Sequence, residues 1–294
     1  MHRSTAAGWL AVAGVAVLVV VVGVLAVLAL QRGNPGTVAQ TPVPVPTFTL
    51  GGQTASPTPT PTAPPARPED VRFLSIGSEI WWRATAGACG GPAPTVARSS
   101  DQGVTWTDVT PTYLGITQVQ TLEAFSRRDA EIIATLADCE PQALRTYTYG
   151  KYWEPYPEVL AGARFVDPRD PSSIQLAAGA APAPCPVAMG LHAFGDVVTL
   201  VCDRRAWWWD ADRWGELDVP DALAVDIDRG DILVAHVSAE CPGVAVARVS
   251  AADRQATTPA GCAVDADPTG PVAIDAVGET VMVWAGDTII PTTP

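Results

Sequence analysis

The chain has 294 residues with 31 acidic against 18 basic side chains, a net charge of −13, which speaks against nucleic acid or an anionic lipid surface as partner. Every acidic residue falls at or after Glu69, where 15 basic ones accompany them, so this part carries −16. All six cysteines lie there too, and an even count suits an oxidising compartment.

In chain order, residues 1–7 form a short basic stub and residues 8–30 a predicted transmembrane helix. The 25 residues from Ala6 to Leu30 include no charge and contain "VAVLVVVVGVLAVLAL". As a helix this run is ~37 Å long, against the ~30 Å hydrocarbon core of a bilayer. It exceeds the ~7–15-residue apolar region of a signal peptide, so a retained signal anchor is expected, although "VLA" at 27–29 is compatible with cleavage. The cysteines orient it: a single-pass protein of the cell membrane, cytoplasmic over 1–7 and extracytoplasmic beyond the span. Residues 31–68 read as an extended, disordered linker, with ten Pro and eight Thr between Asn34 and Pro68. That composition cannot bury apolar surface; it suits a polyproline-like spacer up to ~100 Å long, or an O-glycosylated stalk.

From residue 69 to 294 the pattern changes to short apolar runs separated by turn residues, without 3.6-residue periodicity, which predicts an all-β domain. A unit of strand, tight turn and strand recurs six times, as "VRFLSIGSEIWWRA", "LEAFSRRDAEIIATL", "ARFVDPRDPSSIQLAAG", "GLHAFGDVVTLVC", "LAVDIDRGDILVAHV" and "VAIDAVGETVMVWAG". Two further strands follow some copies. Four short antiparallel strands repeated every ~40–50 residues describe the blades of a β-propeller. About 225 residues would make five blades at ~45 each, while the hairpins suggest six. The stretch 161–186, with "AAGAAPAPCP", has the weakest strand signal, and a β-sandwich of the same strands is the rival fold.

One hairpin has a motif. "SSDQGVTW" at 99–106 fits Ser-x-Asp-x-Gly-x-Thr-Trp through Ser99, Asp101, Gly103, Thr105 and Trp106. A degenerate second copy lies 47 residues on, aligning Gly150 and Trp153 and placing Thr148 at the Asp101 position. The chain thus resembles the Asp-box (BNR-repeat) propellers, a family of sialidases, sortilin-like receptors and photosystem-assembly-factor-like proteins. The resemblance implies a structural hairpin between the third and fourth strands of a blade, not a catalytic Asp101. In a propeller, Cys89, Cys139, Cys185, Cys202 and Cys241 would follow second strands, with Cys262 between blades, gathering all six at one end. Sequence-neighbour bridges (Cys89–Cys139, Cys185–Cys202, Cys241–Cys262) are the simplest of 15 connectivities.

A search for chemistry yields no catalytic residue. A sialidase reading would imply a Phe/Tyr-Arg-Ile-Pro motif, which is absent, and a Tyr nucleophile late in the domain, whereas Tyr113, Tyr147, Tyr149, Tyr152 and Tyr156 are the only tyrosines. His192 and His236 sit in apolar strands and read as core or half-buried. "DIDRGD" at 226–231 departs from a calcium loop, with Gly230 fifth and Val237 twelfth, and reads as a turn. No metal or cofactor is expected. The candidate ligand-binding residues are the tryptophans Trp81, Trp82, Trp207, Trp208 and Trp209, which serve either blade packing or an aromatic platform. Together these features imply a non-enzymatic binding or scaffolding module for a protein or glycan at a cell envelope, contacted through the face with the cysteines. The single lysine, Lys151, and the Ala- and Val-rich composition suggest a GC-rich bacterial source. The alternative is a divergent sialidase-like glycoside hydrolase or lyase using scattered carboxylates.

Overall fold

The computed structural model describes residues 67–293; the predicted stub 1–7, the span 8–30 and the linker up to residue 66 lie outside the described residues. Among the described residues no helix is long and apolar enough to cross a membrane. The six hairpins seen in the sequence are the first two strands of six antiparallel sheets. Blade 1 contains β1 (Arg72–Ile76), β2 (Trp81–Thr85), β3 (Thr95–Ser99) and β4 (Thr107–Asp108). Blade 2 contains β5 (Gln118–Ala124), β6 (Ala130–Thr135), β7 (Pro141–Thr146) and β8 (Glu154–Pro155), followed by one helical turn, Pro157–Leu160. Blade 3 has only β9 (Phe165–Val166), β10 (Ser173–Leu176) and β11 (Gly179–Pro182). Blade 4 contains β12 (Ala188–Phe194), β13 (Val197–Cys202), β14 (Arg205–Asp210) and β15 (Arg213–Glu216). Blade 5 contains β16 (Ala222–Asp228), β17 (Asp231–Ser238), β18 (Cys241–Val249) and β19 (Thr257–Ala263). Blade 6 stops at three strands, β20 (Val272–Val277), β21 (Thr280–Ala285) and β22 (Thr288–Pro291).

Turn chemistry sets these hairpins. Asp228 pairs with Asp231 across a two-residue loop in which Arg229 and Gly230 adopt φ of 52° and 94°, the left-handed pair that matches strand twist. "DIDRGD" is therefore a hairpin turn, and Arg248 bonds both Asp228 and Asp231 behind it.

Six hydrophobic clusters hold the molecule together, one between each pair of adjacent blades, and this closes the ring. Strand alternation explains how near-continuous apolar runs serve two interfaces at once. In β17, Ile232 and Val234 pack toward blade 4 while Leu233 and Ala235 pack toward blade 6. The tryptophans of β14 follow the same rule, with Trp208 toward blade 5 and Trp207 and Trp209 toward blade 3.

The ring is uneven. Blade 3 is narrow because its Ala-, Gly- and Pro-rich sequence supplies little side-chain bulk, and β12 approaches β5 past its two-residue inner strand. The seam between blades 6 and 1 is thin as well. Leu74, Ala273 and Trp284 form its buried core, Arg72 Nη1 donates to Gly286 O at 2.6 Å, and the guanidinium groups of Arg72 and Arg83 lie 4.4 and 5.0 Å from the Trp284 ring.

Three disulfides form, pairing Cys89 with Cys139, Cys185 with Cys202 and Cys241 with Cys262. The first ties blade 1 to blade 2. The cysteine positions differ from expectation in two places: Cys185 follows the third strand of blade 3, and Cys262 lies inside β19 rather than between blades. Antiparallel topology nonetheless puts all six at the end where first strands begin. After β22 the chain returns to Cys262, with Cys262 and Thr293 exchanging backbone hydrogen bonds at 2.8 and 3.0 Å. Gly261 permits this approach: its φ is +122°, and a Cβ there would lie 2.7 Å from Thr292 Cβ.

Candidate functional site: a polar ring at the propeller axis

The first strand of every blade faces the axis, and five of the six carry a polar side chain near their C-terminal ends: Ser75, Glu123, His192, Asp226 and Asp275. They occupy corresponding registers, opposite Trp82, Glu131, Thr199, Leu233 and Met282 of the second strands. The short β9 of blade 3 offers no polar group. First strands are sheet edges, so their outward N–H groups need partners, and neighbouring blades supply some of them. Ile76 N–H of blade 1 donates to Asp275 Oδ2 of blade 6 at 2.5 Å, and Ala124 N–H of blade 2 donates to Ser75 Oγ of blade 1 at 2.8 Å. His192 Nδ1 of blade 4 bonds Asp226 Oδ1 of blade 5 at 3.2 Å.

Burial at the axis shifts the protonation of Glu123 and Asp275. Burial raises Asp275 well above the usual carboxylate range, and the charge of Asp226 raises it further. Asp226 is 8% exposed, and its Oδ2 has no hydrogen-bond partner among the described residues. Glu123 keeps contact with solvent through a cavity but is surrounded by protein on most sides. That loss of hydration pushes it up to about 7, against a lowering by His192. Desolvation lowers His192, yet the bond to Asp226 and the charges of Asp226 and Glu123 outweigh it, so its pKa is raised.

Beside the narrow third blade the ring opens into a cavity of about 400 Å³, with Glu123, His192, Phe73, Arg145 and Arg164 in its walls. Arg145 is already paired with Glu131, Nε to Oε2 at 2.6 Å. Asp226 holds the imidazole through Nδ1, and Nε2 makes no hydrogen bond among the described residues, so the cavity presents one oriented nitrogen and one carboxyl balanced near neutrality. Such a cavity can exchange hydrogen bonds with a small polar ligand in either sense.

The residues singled out from sequence stand elsewhere. At 99–106, Ser99 Oγ donates to Asp101 Oδ1 at 2.6 Å and accepts from Gly103 N–H at 2.8 Å. Asp101 in turn accepts from Thr105 N–H and Oγ1–H at 2.9 and 2.6 Å, and Trp106 Nε1 donates to Gly103 O at 3.0 Å. The bonds from Ser99 and Thr105 hold the Asp101 carboxyl at about 2. The degenerate copy repeats the wiring: Gly150 N–H bonds Thr146 Oγ1, and Tyr152 N–H bonds Thr148 Oγ1, both at 2.9 Å. Both hairpins join third and fourth strands.

The candidate ligand-binding tryptophans are drawn into packing. Trp82 is fully buried, with its ring 6.0 Å from Trp153; Trp81 lies under Gly103. Trp209 meets Trp214 at 5.1 Å, and Gly215 leaves room for the Trp208 indole. None of these is among the exposed large side chains. His236 is half-buried, and burial lowers its pKa. Sequence reasoning missed Glu123 and Asp275, and it treated His192 and Asp226 as core and turn. The available signal was one polar residue recurring at one register of five aligned apolar strands.

No family model matches the chain and no curated protein matches it. Solved structures similar in fold are propellers. "YCF48 bound to D1 peptide" aligns at 15% identity over 75% of this chain and 77% of that one, with a TM-score of 0.41. A six-bladed fungal fucose lectin from Aleuria aurantia aligns at 11% identity over 73% and 90%, with a TM-score of 0.40. An α-L-arabinofuranosidase from Clostridium thermocellum aligns at 8% over 72% and 80%, with a TM-score of 0.38. The chain's own strand pairing makes it an all-β, six-bladed propeller with three disulfides.

Proposed function

We propose that this chain is a membrane-anchored extracytoplasmic propeller of Asp-box type that acts as a non-enzymatic binding module, holding a small polar ligand or the end of a glycan in its axial cavity. The observation that carries this reading is the cavity itself, whose wall holds Glu123 and His192 while Ser75 and Asp275 bond neighbouring blades. Residues 8–30 supply the anchor and 31–68 the spacer, so the site stands away from the membrane. Binding suits this arrangement better than catalysis, because Ser75, Asp226 and Asp275 are held by contacts that also close the ring.

The second reading, a glycoside hydrolase or lyase, is favoured by a carboxyl near 7 beside an Asp-oriented histidine, a pairing suited to general acid–base work. A glycan array and a chromogenic-glycoside screen of the full-length protein in neutral detergent separate the two. Saturable binding without turnover, weakened at least tenfold by His192→Ala or Glu123→Gln, is the expected result. Turnover abolished by Glu123→Gln would establish the second reading instead.

A further inference from the structure

A second, independent feature lies away from the axis. Between the outer hairpins of blades 1 and 2 runs a groove of about 680 Å³ whose walls include Arg98, Asp108, Tyr113, Thr148, Tyr149 and Lys151. Its two cations are unpaired: among the described residues neither Arg98 nor Lys151 has an ion-pair partner, although the domain has roughly twice as many acidic as basic side chains. Arg98 Nε is buried and makes no hydrogen bond among those residues. Its guanidinium lies 5.7 Å from the Tyr149 ring, where Arg128 also stacks, at 5.4 Å. Lys151 Nζ lies 5.2 Å from the Tyr152 ring. The one carboxylate in the walls, Asp108, uses Oδ1 to accept Thr110 N–H and Oγ1–H at 2.9 and 2.7 Å. The groove is therefore a local positive site in an acidic molecule, with a guanidinium held in place by an aromatic face.

The surroundings indicate which anion fits. Of six exposed aromatic side chains among the described residues, five (Tyr113, Phe125, Tyr147, Tyr149 and Tyr152) belong to blades 1 and 2 or their connection. Tyr113 is 60% exposed and Tyr152 56%. Exposed tyrosine beside arginine is the composition of a protein-recognition patch. We propose that this groove docks an acidic peptide segment of a partner protein, with Arg98 and Lys151 each taking a carboxylate and the tyrosines taking the intervening side chains. This docking is separate from the axial cavity and does not depend on it.

The test uses the full-length protein in neutral detergent and a fluorescein-labelled decapeptide of alternating Glu and Val. At low salt the peptide is expected to bind saturably and to slow the amine-reactive modification of Lys151, which mass spectrometry follows specifically because it is the only lysine in the chain. Arg98→Gln combined with Lys151→Gln weakens binding at least tenfold, Lys151→Arg retains it, and Lys151→Glu abolishes it at an exposed position that leaves folding intact. The proposal is overturned by absence of saturable binding, by binding that the double variant leaves unchanged, or by an oligouronate of equal charge that binds more tightly than the peptide.

Discussion

At the scale of single residues, the axial ring shows how one side chain serves two demands. Asp275 satisfies the edge N–H of Ile76, and in return its own ionisation is opposed by burial and by Asp226. Asp101 illustrates the opposite case, a carboxylate held charged by hydroxyl and amide donors on an exposed hairpin. Replacing Asp101 with Ala leaves Thr105 N–H without its acceptor, so its amide exchange should speed up by about tenfold while the axial cavity keeps its ligand. Hydrogen exchange read at residue resolution checks this. Loss of cavity binding in the same variant would show that the hairpin reaches the site.

At the scale of elements, the Cys89–Cys139 bridge is the only disulfide that joins two four-stranded blades, and it closes the longest loop, a separation of 50 residues. Chain entropy alone assigns such a loop about 4 kcal/mol, against about 3 kcal/mol for the separations of 17 and 21 in the other bridges. Thermal unfolding of the three paired Cys→Ser variants should therefore show the largest loss for Cys89/Cys139. Gly261 makes a second prediction at this scale. Gly261→Ala forces a Cβ into Thr292 at a left-handed φ, so it should cost about 1–3 kcal/mol and loosen the terminal pairing with Cys262. A melting temperature equal to the parent would contradict that close approach.

At the scale of the whole molecule, the closed ring makes stability depend on pH through its centre. Glu123, Asp275 and His192 all have raised folded pKa values, so each contributes stability that is present below its unfolded value and lost as pH rises through its folded one. For Glu123 that window runs from 4.5 up through about 7. Asp101, Asp170, Asp228 and Asp267 are depressed, and their contribution is lost as pH falls below the ordinary carboxylate range. Maximum stability should therefore lie in mildly acid solution, with the melting temperature falling several degrees between about pH 5 and pH 8.5. Asp275→Asn, which keeps an acceptor for Ile76 N–H but cannot ionise, should flatten that alkaline decline. A curve of unchanged slope would remove Asp275 from the account. The same closure explains why Trp284→Ala, at the thin seam between blades 6 and 1, should cost about 3–5 kcal/mol.

Much of this architecture is local and therefore legible in the amino-acid order. Hairpins such as Asp228–Asp231 arise from residues that tolerate left-handed backbone, strand faces follow from alternation, and the wiring of 99–106 follows from Ser, Asp, Gly and Thr at fixed offsets. The six strand–turn–strand units and the weakness of the third blade could be read for that reason. Blade number could not, because a ring closes only when the accumulated rotation of packed sheets returns the last blade to the first, and that depends on side-chain volume at six interfaces at once. Nor could the axial ring. Ser75, Glu123, His192, Asp226 and Asp275 are spread over 200 residues of sequence, each on a different strand, and their shared field exists only where the first strands converge. The tryptophans lead the other way: conspicuous in the sequence, they are absorbed by blade packing, because a large apolar side chain on a strand buried on both faces gains most by facing its neighbour.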